Sequence, residues 1–533
     1  MSDPQQPRSR RELRAAEEAA AAGSDVDVDA DPVVLRSDSG TATTTTTASA
    51  TAGGSGFWAL VRRHPRVWAA SAATVAVVLL GGGAFAAGSA IGAQAGGADA
   101  AGLAAISASP TADGTPTPTA TPTPTPEPRA LPQALGAPAP VRTCSVARLA
   151  VDVRLGTFLG SVRNATTGDI LFDRSAGTFA RTASVMKVLS SSAALAVLGP
   201  DHRVPTTVVK GSAPGQVVLV GGGDITLASS GSNIYRDAAS LPELADQVKA
   251  AWAADPATAG TPITSIVLDA SVFSGDRWQP SWNRKEQRDG YSSEVTGLQV
   301  DGDRAEPSAN VSARSDNAVL RAGQAFAIAL GTPGADLAEG VAPAGAPQLG
   351  QVLSAPVSTM IPDALLRSDN TEAEMLARLV AVKLGVGNSF EALRTAIPQA
   401  LATYGLDTSG LTIVDGSGLS DDNGVSPNFL TALLIKIRNG EGALGVVRDG
   451  LPVAGESGTL AGRFNGSPAA GSVIAKTGWI DTGYTLSGII DSADGTPLTF
   501  AFFALDDVGD SAKTAIDALT TAVYECGDNL SNN

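Results

Sequence analysis

The stretch Arg181-Thr182-Ala183-Ser184-Val185-Met186-Lys187-Val188-Leu189 sets a serine and a lysine three positions apart, just before an apolar run from Val188 to Leu198. On a helix, residues three apart share a face. A serine hydroxyl is a weak nucleophile until a neighbouring base takes its proton. Histidine does not suit that role here. The chain has two histidines. His64 falls in a different segment, and His202 stands just past the apolar run, at an expected surface turn. A lysine deprived of its charge by a nearby cation or by burial can serve as the base instead. The bland alternative is a helix start with a snorkelling lysine.

Two more motifs follow in order, Ser368-Asp369-Asn370 and Lys476-Thr477-Gly478. The first precedes the helical pattern of Thr371 to Leu384, so it also reads as a helix N-cap. The two readings are compatible, because a capped helix end is rigid and positions side chains well. The series Ser-x-x-Lys, Ser-x-Asn, Lys-Thr-Gly resembles the penicillin-binding proteins, specifically the low-molecular-mass class C D-alanyl-D-alanine carboxypeptidase/endopeptidase family. Gly221-Gly-Gly-Asp-Ile-Thr-Leu227 is similar to a segment of that family, with Ile225 where relatives often have proline. Asp415-Gly-Ser-Gly-Leu-Ser420, Val425-Ser-Pro427, Leu451-Pro-Val-Ala-Gly455 and Ser457-Gly-Thr-Leu460 are family-like too. The likeness spans about Val146 to Glu525.

The resemblance implies a three-layer α/β/α penicillin-recognising, beta-lactamase-like transpeptidase fold with a large inserted second domain. It also implies roles. Ser184 would attack the carbonyl of a D-Ala–D-Ala bond in a peptidoglycan stem peptide, with Lys187 taking its proton and Lys476 keeping Lys187 from holding its charge. Ser368 would relay a proton to the leaving amine, and Asn370 would hold the substrate's amide carbonyl. Lys476 and Thr477 would grip the terminal carboxylate, and Gly478 would let the substrate lie against an edge strand. The backbone N–H groups of Ser184 and Trp479 would form the oxyanion hole. Trp479 stands where relatives often have Ser or Thr, and its bulk is expected to narrow the cleft. Beta-lactam antibiotics would acylate the same serine. No metal or cofactor is implied. A serine beta-lactamase shares the three motifs, but the insertion, stalk and anchor described below speak against it. A non-catalytic cell-wall binding module would not need the full set of catalytic side chains.

Net charge is −16 over 533 residues, and no basic stretch marks the body of the chain. Nothing there suits nucleic acid. The two cysteines, Cys144 and Cys526, belong to no Cys/His cluster, so a structural zinc site has no ligands. They stand near the two ends of the foldable body, and in an oxidising compartment that placement predicts one disulfide.

Six segments follow from composition. Residues 1–66 are too poor in apolar residues to fold, and we read them as a cytoplasmic tail. Arg62, Arg63 and Arg66 then precede the uncharged Val67 to Ile91. As a helix, that stretch would reach about 37 Å, enough to cross a bilayer. The arginine flank orients the N-terminus inside and the body outside the cell. Ala93-Gln94-Ala95 has the form of a signal-peptidase site, so a cleaved signal is the rival, though the long N-terminal region favours an anchor. Residues 92–140 are rich in Ala, Thr and Pro and read as an extracellular polyproline II stalk. Residues 141–204 and 357–528 form the expected catalytic domain, 205–356 the inserted domain, and 529–533 a short tail. Strands are expected at Gly156–Arg163, Ile170–Arg174, Tyr484–Ile490 and Leu498–Leu505, with a closing helix from Asp510 to Glu525 whose apolar side is Ala515, Ala518, Leu519 and Ala522. A phosphate loop at Gly221 to Gly223 would lack its Gly-Lys-Ser/Thr ending.

Overall fold

The computed structural model describes residues 141–532. The tail, the apolar stretch at 67–91 and the stalk lie outside the described residues. No helix among the described residues is long and apolar enough to cross a membrane.

The body opens with the short strand β1 (Cys144–Ser145), helix α1 (Ala147–Ala150) and the hairpin β2 (Thr157–Asn164) and β3 (Ile170–Arg174), then α2 (Met186–Val197). The inserted stretch carries β4 (Pro205–Lys210), β5 (Gln216–Gly221), α3 (Leu241–Ala254), β6 (Ser265–Asp269), α4 (Lys285–Arg288), α5 (Ala318–Leu330), β7 (Asp336–Glu339) and β8 (Gln348–Leu353). Helices α6 (Val357–Arg367), α7 (Asn370–Leu384), α8 (Leu393–Ala402), α9 (Pro427–Arg438) and α10 (Gly445–Gly450) follow. The chain closes with β9 (Val473–Ile480), β10 (Gly483–Asp491), β11 (Pro497–Leu505), α11 (Ser511–Cys526) and β12 (Leu530–Ser531).

Strands from both ends of the body form the main sheet. β9, β10 and β11 make an antiparallel meander. Gly156 pairs with Leu505, and the Ala165 N–H donates to the Pro497 carbonyl, so β2 runs alongside β11 and brings β3 with it. β11 is apolar apart from Thr499 because both its faces are buried, and the Thr499 hydroxyl donates to the Thr431 carbonyl at 3.1 Å. Phe500, Phe502 and Ala504 face α11 and α1, while Ala501, Phe503 and Leu505 face the helical layer of α2, α6, α7, α8 and α9. The result is the three-layer α/β/α sandwich. The closing helix buries much of the expected face: Ala512, Ala515, Ile516, Leu519 and Val523 are buried and Ala522 packs against the same core, while Ala518 lies on the flank.

Cys144 and Cys526 are joined by a disulfide with their Cα atoms 5.5 Å apart. Beside it, β1 pairs in parallel with β12, and the Arg142 guanidinium donates to Asp528. Leu530 and Ser531, in the short tail expected at 529–533, therefore form a strand held to the first strand.

The inserted stretch builds a five-stranded sheet in the order β7-β6-β5-β4-β8, covered by α3 and α5 over a core of its own. It is not a detached bead. Ile225, Tyr235, Phe273, Trp278, Trp282 and Val295 pack into the helical core of the catalytic layer. Gly223 serves that packing, since it has φ 103° and a Cβ there would stand 3.1 Å from the Leu379 side chain of α7.

Candidate active site

Ser184 sits in a 3-10 turn, Ala183–Val185, that leads into α2 rather than in the helix proper. Ala183 takes a left-handed backbone at φ 46°, an uncommon conformation for a residue with a Cβ. Every residue of α2 from Met186 to Leu195 is buried, polar ones included. Its serines bond to backbone inside that core, Ser190 to the Gly416 carbonyl and Ser192 to the Val188 carbonyl.

Lys187 is fully buried. Its Nζ lies 2.9 Å from Ser184 Oγ, 2.6 Å from Asn370 Oδ1 and 2.8 Å from the Ser417 carbonyl oxygen. Two of those partners, an amide oxygen and a carbonyl, can only accept. A neutral amine has two hydrogens and one lone pair. With both hydrogens given to Asn370 and Ser417, the lone pair is left for the Ser184 hydroxyl. The same three oxygens satisfy an ammonium, whose third hydrogen goes to Ser184 Oγ; once that proton is lost, the lone pair faces the Ser184 hydroxyl and can take its proton.

The orientation of the Asn370 amide decides which of its atoms faces Lys187. Its Nδ2 donates to the Tyr291 carbonyl at 3.0 Å. A carbonyl cannot donate, so the nitrogen belongs there and the oxygen faces Lys187. Asn370 is the first residue of α7, and Asp369 caps that helix by accepting from the Glu372 N–H at 3.1 Å. Ser368 ends α6 in a left-handed conformation at φ 57°. One turn thus terminates one helix, starts the next, and places Ser368 and Asn370 on the cleft.

Lys476 lies on the edge strand β9 and is also fully buried. Its Nζ donates to Ser368 Oγ at 2.9 Å and to the Thr477 carbonyl at 2.9 Å. Burial, and then the charge of Lys187, push Lys476 well below the usual lysine range. The sequence reading took Lys476 to act on Lys187; the repulsion works in the reverse direction as well.

Gly478 has a reason beyond room for substrate. A Cβ there would stand 2.9 Å from the Thr182 carbonyl oxygen and 2.9 Å from Ala183 Cβ, so its absence lets the nucleophile turn pack on β9. Thr485, opposite Gly478 on β10, donates to that same Thr182 carbonyl at 2.7 Å. Trp479, the residue after Gly478, shares the cleft wall with Ser184. Alternation along the strand sends the indole to the other face, beside Tyr484, with ring centroids 6.1 Å apart. It lines the cleft but does not lie on the Gly478 side. Thr477 Oγ1 is 2.7 Å from Thr459 Oγ1.

Beneath Lys187 a loop is held by two buried carboxylates. Asp415 accepts from the Gly418 and Ser420 N–H groups, from Asn423 and from the Trp282 indole. Glu374 accepts from the Gly416 and Ser417 N–H groups. Together they fix the carbonyl that Ser417 offers to Lys187. Burial, then the neighbouring Asp415, push the Glu374 carboxyl up to about 8. The sequence marks Asp415–Ser420 as a distinctive segment but gives no sign of this support role. Nothing in it singles out Glu374.

The cleft has a volume of about 450 Å³, with Ser184, Ser368, Asn370, Thr459, Thr477 and Trp479 in its wall. The two buried lysines stand behind that wall. His202 lies past the far end of α2, about 18 Å of helix from Ser184. Among the described residues, no cluster of His, Cys, Asp and Glu could hold a metal ion.

A family model described as the D-Ala-D-Ala carboxypeptidase 3 (S13) family matches residues 143–332 and 304–523. Carboxypeptidase DacB of Mycolicibacterium smegmatis is 36% identical over 410 residues, 74% of this chain and 87% of that protein. A carboxypeptidase of Mycobacterium tuberculosis is 35% identical over 395 residues, 72% of this chain and 84% of that protein. The crystal structure of penicillin binding protein 4 from Haemophilus influenzae superposes with a TM-score of 0.59 over 69% of this chain and 96% of that one. At 21% identity that likeness concerns the fold, including the additional domain. The chain belongs to the D-Ala-D-Ala carboxypeptidase 3 (S13) family, and so to the low-molecular-mass class C penicillin-binding proteins.

Proposed function

We propose that this serine D-Ala-D-Ala carboxypeptidase removes the terminal D-alanine of peptidoglycan stem peptides through an acyl-enzyme on Ser184. The observation that carries the reading is the three-way coordination of Lys187 Nζ by Ser184, Asn370 and Ser417. In the first step the Ser184 oxygen bonds to the scissile carbonyl carbon while its proton passes to Lys187. The backbone N–H groups of Ser184 and Trp479 receive the developing oxyanion. Collapse breaks the C–N bond. Ser368, whose oxygen already accepts from Lys476, can give its own proton to the departing amine. Water then hydrolyses the ester by the reverse proton path. Thr477, on the cleft wall with Thr459 behind it, receives the substrate's terminal carboxylate, whose negative charge favours the ammonium form of Lys476 just behind the wall.

Beta-lactams fit the same account, because a strained lactam presents the same carbonyl to the same nucleophile. The carboxylates that line the cleft are Asp369 and Asp510. Asp369 is bound by Arg304 and Tyr235, and Asp510 accepts from the Tyr484 hydroxyl. Neither is placed to activate a deacylating water, so the penicilloyl ester should persist. This favours a carboxypeptidase over a beta-lactamase. Cross-links that end in D-Ala offer the same bond, so endopeptidase action belongs to the proposal.

Anchoring by residues 67–91, with the N-terminus inside and the body outside, is likewise a proposal. Its support is the arginine flank and the uncharged stretch. Release of D-alanine from a pentapeptide stem, measured with wild type and Ser184→Ala, tests the activity. Equal release by both proteins would refute the assignment of Ser184.

A further inference from the structure

Two features of the Ser368–Asn370 turn are not required by the chemistry itself. Ser368 holds a left-handed backbone without being glycine. Asp369, between two residues on the cleft, buries its whole side chain yet pairs as an ion. Strained backbone of this kind persists only where its surroundings enforce it.

The surroundings come from the inserted stretch. Arg304 Nη2 donates to Asp369 Oδ2 at 2.7 Å, with side-chain exposures of 1% and 0%. The Tyr235 hydroxyl donates to the same oxygen at 3.0 Å, and Arg304 Nη1 donates to the Tyr235 oxygen at 2.6 Å. The three groups close a triangle, with the guanidinium also 5.1 Å from the Tyr235 ring centroid. Burial alone would raise the Asp369 carboxyl, but the charges of Arg304 and Arg314 outweigh it and hold it well below the usual range. A fourth contact from the insertion, the Tyr291 carbonyl, holds the amide of Asn370.

We infer that Arg304 and Tyr235 are positioning residues for acyl transfer: by holding Asp369 they set the Ser368 hydroxyl against Lys476 and the Asn370 amide against Lys187. The inserted domain is then a brace for the catalytic turn as well as a covering layer. This inference rests on the reading that Ser368 and Asn370 serve the Ser184 chemistry. The contacts at stake are short, 2.9 Å at Ser368 and 2.6 Å at Asn370. A displacement of about 1 Å would break both, and errors of that size cost roughly a hundredfold in rate.

A buried ion pair can also be a matter of stability alone, because removing one partner strands the other's charge. Two variants separate the cases. Tyr235→Phe deletes one oxygen and keeps the ring in the core. The double variant Arg304→Met with Asp369→Asn removes both charges together, and asparagine still caps α7. Each is assayed for thermal unfolding, for penicillin acylation of Ser184, and for kcat and KM on a D-Ala–D-Ala peptide. A positioning role predicts folded proteins in which kcat and the acylation rate fall about tenfold or more, with KM changed less than about threefold, because the groups that receive the carboxylate remain. Folded variants that acylate at the wild-type rate would overturn the inference while leaving the site reading intact. A wild type that is never acylated at Ser184 would overturn that reading and the inference with it. If the double variant does not fold, Tyr235→Phe alone decides.

Discussion

Replacing Asn370 by aspartate changes one atom and tests the neutral-lysine argument. Asn370 Oδ1 lies 2.6 Å from Lys187 Nζ, and Nδ2 lies 3.0 Å from the Tyr291 carbonyl. In the variant, a carboxylate would face the lysine, and its second oxygen would face a carbonyl lone pair. At that separation, with an effective dielectric near 20, the Coulomb attraction favouring an ammonium is about 6 kcal/mol. Desolvation of the carboxylate and its repulsion from Tyr291 offset roughly half of it. The remaining ~3 kcal/mol biases the amine toward the ammonium and leaves up to about a hundredfold fewer molecules with a lone pair for Ser184. The assay is the rate of penicillin acylation as a function of pH. At neutral pH the variant should be slower, by up to about a hundredfold, and its rate should recover at higher pH than that of wild type. Asn370→Ala should be slow without that alkaline recovery, since it adds no charge. Wild-type acylation by Asn370→Asp, or a loss that is the same at every pH, would refute the reasoning.

Lys476→Ala should lower kcat by about a hundredfold on peptides with a free C-terminus, because Ser368 loses its donor and the carboxylate loses its cation; unchanged kinetics would remove Lys476 from the site. Cys144→Ser with Cys526→Ser opens a 382-residue separation. The loop-entropy relation gives about 6 kcal/mol as a ceiling, and the β1–β12 pairing that remains lowers the expected loss to ~2–4 kcal/mol, read from urea unfolding. Glu374, raised to about 8 in the fold, binds its proton more tightly folded than unfolded. Its contribution is therefore fully present below about pH 4.3 and is lost as pH rises through about 8. Glu374→Gln should fold with less loss of stability between pH 6 and 9 than wild type; buried Lys476 adds an opposite slope to both proteins, so their difference isolates Glu374. Identical pH profiles of unfolding would contradict this.

The sandwich was legible because its strands and helices have clear periods. β11 alternates between two apolar faces, and the α7 boundary is marked by a capping Asp369. The three motifs carried most of the site, since each lies within four residues on one turn or strand. What was not legible depends on contacts between distant segments. Arg304 and Asp369 stand 65 residues apart, and Glu374 reaches Gly416 across 42. No local pattern joins such partners. On α11 only Ala518 of the expected face lies on the flank, because alanine fits core and flank equally well. Gly478 looked like an opening for substrate, and its second neighbour, the Ser184 turn, appears only once β9 and α2 meet.

The central claim is that Ser184, served by Lys187, forms an acyl-enzyme. The direct measurement is mass spectrometry of the protein after incubation with penicillin, followed by peptide mapping. The account predicts one penicilloyl group, located on Ser184, that persists over hours and is absent from Ser184→Ala. An unmodified protein, an adduct on another residue, or rapid loss of penicillin with no adduct would contradict it.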